Sequence, residues 1–137
     1  MNKNSKNYQD WLLKAGNDLK AARAIFEYYE QPPTDTICYH CHQVAEKALK
    51  SFLVYKETPL PKIHDLITLL SLCLSKDKTL EILRNELKTL NKYYIETKYP
   101  PDMPIDYPKK EAKEAIKKAR FVLKTIKDKI KEKTAGI

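Results

Sequence analysis

Apolar side chains recur along this chain at steps of three and four, and prolines interrupt the pattern so that it divides into five helical stretches. Leu12, Ala15, Leu19, Ala22 and Phe26 form the first stripe, on a helix that begins at or before Asp10 and ends near Tyr29. There Gln31-Pro32-Pro33-Thr34-Asp35 breaks it, because proline lacks an amide donor and biases the residue before it away from helix. A second helix is predicted from about Thr36 to Tyr55, with Cys38, Cys41, Ala45, Ala48, Leu49 and Phe52 on one side. Its small residues, Ala45 and Ala48, permit close approach of a neighbour. Thr58-Pro59-Leu60-Pro61 closes it.

His64 to Leu74 predicts a third helix with Leu66, Leu69, Leu70 and Cys73 inward, and about Thr79 to Thr97 a fourth carrying Leu80, Leu83, Leu87, Leu90 and Tyr94. The cluster Tyr99-Pro100-Pro101-Asp102-Met103-Pro104 ends that one. A fifth starts at Tyr107-Pro108, where proline suits a first turn, and carries Ala112, Ala115, Ala119, Val122, Ile126 and Ile130. Neither strand alternation nor an internal repeat is visible. The expected fold is therefore all-α, an up-and-down bundle of about five helices. The 137 residues suit one domain, over 8–133, with frayed termini at 1–7 and 134–137.

Charge narrows the choice of partner. Twenty-six Lys and Arg against 18 Asp and Glu give a formal charge of +8, which favours nucleic acid, nucleotides or an acidic protein. Much of the surplus sits between Lys117 and Lys133, where a solvated helix face is the simplest account. With glycine only at Gly16 and Gly136, a Gly-rich phosphate loop is excluded. No stretch reaches the ~18 apolar residues of a membrane helix, and the first ten residues lack the apolar core of a signal peptide. A cytoplasmic protein without membrane association is expected, with its three cysteines reduced.

Cys38-Tyr39-His40-Cys41-His42 satisfies the C-x-x-C-H pattern of haem attachment, and on a helix Cys38, Cys41 and His42 share a face that suits zinc. No fourth ligand is visible, and free cysteine is among the most buried residue types. Small core residues, with no metal and no cofactor, are the expectation. Only one of His40 and His42 is expected to face the core. Glu46 and Lys50 read as an ordinary i, i+4 pair, and Asp65 as a residue of a helix first turn. Tyr93, Tyr94, Tyr99 and Tyr107 interleave with Lys92, Lys98, Lys109 and Lys110, a combination suited to base stacking beside phosphate.

Four blocks stand in order along the chain: Asp10-Trp11-Leu12 with Ala15, Asp18-Leu19 and Ala22; Tyr39-His40-Cys41-His42-Gln43-Val44-Ala45-Glu46-Lys47-Ala48-Leu49-Lys50; His64-Asp65-Leu66; and Tyr94 with Lys98-Tyr99-Pro100 and Asp102. Together they resemble the HEPN family, the higher eukaryote and prokaryote nucleotide-binding domain. The resemblance implies a helical bundle, frequent homodimers, and a polar groove that takes nucleotide or RNA. It also implies a separate nucleotidyltransferase chain as partner, in a toxin–antitoxin-like pair. His40, Gln43, Lys47, His64, Tyr94, Lys98 and Tyr99 are then the expected ligand-binding residues, with no catalytic residue among them.

Ribonuclease members carry Arg followed four to six residues later by His. Arg23, Arg84 and Arg120 are the chain's only arginines and none has such a histidine. Lys98 stands where the family shows Arg, which keeps the charge and loses the bidentate fork. A non-catalytic binding module is expected. The rivals are a metal-independent ribonuclease toxin with a variant site, drawing on His40 or His64 with Lys98, and a purely structural helical interaction protein.

Overall fold

The computed structural model describes residues 5–94 and 106–135. Among the described residues there are five α-helices and no strand. Helix α1 spans Tyr8–Tyr28, begun by the Asn7 side chain, which accepts from the Gln9 amide at 2.9 Å, and buries Trp11, Ala15 and Ala22. Helix α2, Thr34–Tyr55, starts directly after Pro33, two residues earlier than the periodicity indicates. The shift has a simple origin: a proline just outside the first turn gives up no helical hydrogen bond. Fourteen of its 22 residues are buried, so it is the central helix of the bundle. Its far end turns with Glu57 at φ 54°, and the Thr58 and Glu57 amides return to the Leu53 and Val54 carbonyls at 2.9 Å.

Helix α3 is Leu66–Leu74, two residues shorter at its start than expected, because Asp65 caps it from outside by accepting from the Thr68 amide at 2.8 Å. That leaves His64 in the preceding loop, free of helical geometry. The fourth element is not one long helix. A 3₁₀ turn over Lys78–Leu83 leads into α4, Arg84–Leu90, and a second 3₁₀ turn covers Asn91–Tyr93. The chain is extended at Tyr94 (φ −74°, ψ 126°). Three side chains account for the early stop. Asn91 turns back to accept from the Leu66 amide and to donate to Asp65, Tyr93 enters the core, and Tyr94 swings onto His64. Residues 95–97 of the expected helix lie outside the described residues. Helix α5, Lys109–Ala135, supplies Ala112, Ala115, Ala119, Val122, Ile126 and Ile130 to the core, as its spacing indicates.

Side-chain contacts fix the directions. Tyr8 meets Tyr55 edge-on at 5.0 Å, so α1 and α2 run antiparallel. Thr34 accepts from the Tyr107 amide at 3.0 Å and donates to Asp106 at 3.1 Å, joining the starts of α2 and α5. The 56–65 loop carries the chain back along α2, so α3 begins beside His42 and reaches Leu49 with Cys73. One core of buried residues runs through α1 to α5, with Phe52, Ile37, Leu49, Leu53 and Ile126 among its largest fully buried side chains. No helix among the described residues is long and apolar enough to cross a membrane.

Candidate functional site

The core claims only part of the surface of α2. Its remaining positions, Tyr39, His40, Gln43, Glu46, Lys47 and Lys50, form a polar strip, completed by Asp18 of α1, by His64 and by Tyr94. Two carboxylates organise it. Asp18 receives His40 Nδ1 at 2.9 Å on one oxygen and the Lys47 ammonium at 2.6 Å on the other. Glu46, only 4% exposed, accepts from Lys50 Nζ at 2.9 Å and from His64 Nδ1 at 3.1 Å, with His42 Nδ1 at 3.8 Å.

A charge buried to this degree persists only when paired. Lys50, itself 7% exposed, completes the pairing and places its ammonium 5.8 Å from the centre of the Trp11 ring. The i, i+4 pair that sequence spacing reads as ordinary is therefore an interior ion pair.

His42 lies wholly inside, with Nε2 on the His64 carbonyl at 3.0 Å and Nδ1 by the Gln43 side-chain oxygen at 3.1 Å. Burial holds its pKa below that of an ordinary histidine, opposed by Gln43 and Glu46. His40, one position before Cys41, is half-buried and looks to Asp18. As expected, only one of the two histidines joins the core.

Tyr94 stacks on His64, ring centres 4.9 Å apart and planes within 12°, and tilts against His42 at 5.2 Å. Tyr39 senses Glu46, Tyr94 and Asp18 together; burial first, and then these groups, raise its phenol pKa. Beside the stacked pair opens a pocket of about 480 Å³ lined by Lys62, Ile63, His64, Asp65, Asn91 and Tyr94. Asp65 is held below the usual carboxylate range, chiefly by the Asn91 hydrogen bond.

Five of the seven expected ligand-binding residues, His40, Gln43, Lys47, His64 and Tyr94, thus share one strip; Lys98 and Tyr99 lie outside the described residues. Lys47 is engaged by Asp18, so an incoming phosphate competes with a carboxylate for it. Lys62 is exposed at the pocket.

Sequence reading missed Asp18, Glu46 and Lys50 as organising groups. The available signal for Glu46 was its place among Val44, Ala45, Ala48 and Leu49, whereas Asp18, between Asn17 and Lys20, carried no such signal. The tyrosine-lysine cluster also divides. Tyr93 is buried, donates to Glu111 and meets Tyr107 edge-on at 5.0 Å, so those two rings pack the bundle while Tyr94 faces the strip.

The C-x-x-C-H residues are core. Cys38 and Cys41 are fully buried, and burial pushes the Cys38 thiol up to about 12 and the Cys41 thiol up as well, which opposes thiolate ligation. Among the described residues, no three His, Cys, Asp or Glu side chains are grouped to hold a metal ion.

Comparisons with known proteins fit this architecture. Residues 8–130 match the model of the HEPN domain family. A crystal structure of TT1696 from Thermus thermophilus is similar with a TM-score of 0.76 and 29% identity, over 91% of this chain and 99% of that one. ST0689, described as an archaeal HEPN homologue, is similar with a TM-score of 0.72 and 26% identity, over 92% and 99% of the two chains. No curated protein matches the sequence.

Proposed function

This chain belongs to the HEPN domain family, and from that premise we propose that it is a non-catalytic module that binds a nucleotide, or a nucleotide of an RNA, at the α2 strip. The observation that carries the reading is the stacked His64–Tyr94 pair at the edge of a pocket of about 480 Å³. That volume suits a nucleotide-sized ligand, and aromatic rings accept any base on their faces. Lys62 offers the phosphate a cation not buried in the strip, while His40, Gln43 and Lys47 line the continuation towards α1. Lys98 and Tyr99 belong to the same proposed site. The partner is a separate nucleotidyltransferase in a toxin–antitoxin-like pair, and the working form a cytoplasmic homodimer.

Titration with ATP and with a short RNA at two salt concentrations tests this. Tyr94→Ala should weaken binding roughly tenfold, the scale of one lost stack. If neither ligand binds, and the purified dimer retains no nucleotidyltransferase, the reading fails.

One observation favours the ribonuclease rival. Glu46 accepts from His64 Nδ1, which orients the ring and leaves Nε2, on a half-exposed side chain, facing away from the carboxylate. A carboxylate-backed imidazole is the arrangement of a general base. Cleavage of RNA by the purified protein, lost in His64→Ala, would replace the binding module with an enzyme.

A further inference from the structure

The charge of this molecule is concentrated on one helix. Helix α5 holds 11 Lys and Arg against 4 Asp and Glu, a surplus of seven in a chain whose total is +8. Among its described apolar side chains, all are turned inward except Phe121, which is 41% exposed. On the outer face Lys110, Lys113, Lys117, Arg120, Lys124, Lys127 and Lys131 are all exposed, one cation on each successive turn. From Lys110 to Lys131 the helix rises about 31 Å, with a charge every ~5.4 Å.

A face built only for solubility mixes signs, because like charges at i, i+4 work against the helix that carries them. Here Lys113–Lys117, Arg120–Lys124 and Lys127–Lys131 are like-charged pairs at that spacing. Among the described residues two acids answer them, Glu114 to Lys117 at 3.6 Å and Asp128 to Lys124 at 3.0 Å. Phe121 stands at the midpoint, among Lys117, Arg120 and Lys124.

We propose that the outer face of α5 is a track for the sugar-phosphate backbone of single-stranded RNA, with the Phe121 ring as a stacking point for one base. A row of cations with an aromatic ring in its midst is the combination that single-strand binders use. Other occupants fit less well. A second copy of this face is repelled by its own charge. A membrane surface would attract the lysines but finds one apolar side chain to embed, since the other described apolar residues of α5 are core. None of the α2 strip residues lies on α5, so this surface stands or falls separately from the nucleotide site.

The test measures fluorescence anisotropy of a labelled 12-nucleotide oligo-uridine against the full chain at several salt concentrations, with anionic vesicles of phosphatidylserine and phosphatidylcholine run in parallel. K117Q/R120Q/K124Q should lower the magnitude of the log–log salt slope by about 2, since each phosphate contact on a single strand contributes about 0.7. Phe121→Ala should weaken binding roughly tenfold with the slope unchanged. Both variants should bind ATP as the parent does.

Circular dichroism of the charge variant guards against misfolding, and loss of its helical signal would shift the decision to Phe121→Ala. Oligo-uridine affinity that ignores the α5 variants but falls in Tyr94→Ala would overturn the track and leave the nucleotide site standing. Absence of any oligo-uridine binding at low salt, or binding to vesicles alone, would overturn it as well.

Discussion

Replacing Glu46 by leucine asks whether the polar strip has an interior ion pair at its heart. The substitution removes a carboxylate that is 4% exposed and leaves the Lys50 ammonium, 2.9 Å from it and 7% exposed, with no anion. His64 loses the acceptor for its Nδ1 at the same time. Stranding one member of a buried pair costs about 3–5 kcal/mol, against about 0–1 kcal/mol for a solvent-screened surface pair.

For a chain of this length each kcal/mol lowers Tm by about 3 to 4 °C, so Glu46→Leu should melt roughly 10 to 17 °C below the parent. The double variant Glu46→Leu/Lys50→Met replaces the pair with apolar volume. It should recover about 2 kcal/mol or more relative to the sum of the single changes. Thermal unfolding followed by circular dichroism, with urea titration to obtain free energies, completes the cycle. A Glu46→Leu cost under about 1 kcal/mol, with additive single and double changes, would show the pair to be screened by water and would refute the reasoning.

Two further outcomes rest on other features. His42 has its folded pKa lowered below the ordinary histidine value of 6.5, so the unfolded chain binds the extra proton first and stability should fall as pH drops below about 6.5. The contribution is at most about 1.4 kcal/mol per pH unit, and His42→Gln should flatten this part of a urea-midpoint profile between about pH 7 and 5. Glu57 occupies the left-handed region at φ 54° at the end of α2, where glycine is the residue without strain. Glu57→Gly should raise stability by about 1 kcal/mol, read as a higher urea midpoint, and a lower midpoint would show that the chain entropy of glycine outweighs the relieved strain.

Helix placement was legible because the apolar stripes of α2 and α5 bury their predicted sides and that of α1 buries Ala15 and Ala22 with Leu12, Leu19 and Phe26 half-buried against the core, and a stripe of adequate length outweighs local propensity. The fourth element resisted because its end depends on tertiary partners. Asn91 leaves helical work to cap α3, and Tyr93 and Tyr94 depart in opposite directions, neither of which has a periodic signature.

In the site, residue types could be chosen but their pairing could not. His40, Lys47 and Asp18 are separated by one helix break, and His64 reaches Glu46 only because the 56–65 loop retraces α2. Lys50 shows the same limit: an i, i+4 spacing is identical in water and in a core, and only tertiary neighbours, Trp11 among them, decide which.

Helix α2 presents hydrocarbon on one flank and the polar strip on the other, so both are cut from a single rigid rod. Enlarging Ala45 or Ala48 on the inner flank would pivot the rod and drag Glu46 away from His64 without touching either. Substitutions deep in the oily interior are therefore expected to alter recognition at the proposed nucleotide site, so that melting temperature and ATP affinity fall together across a library of such variants.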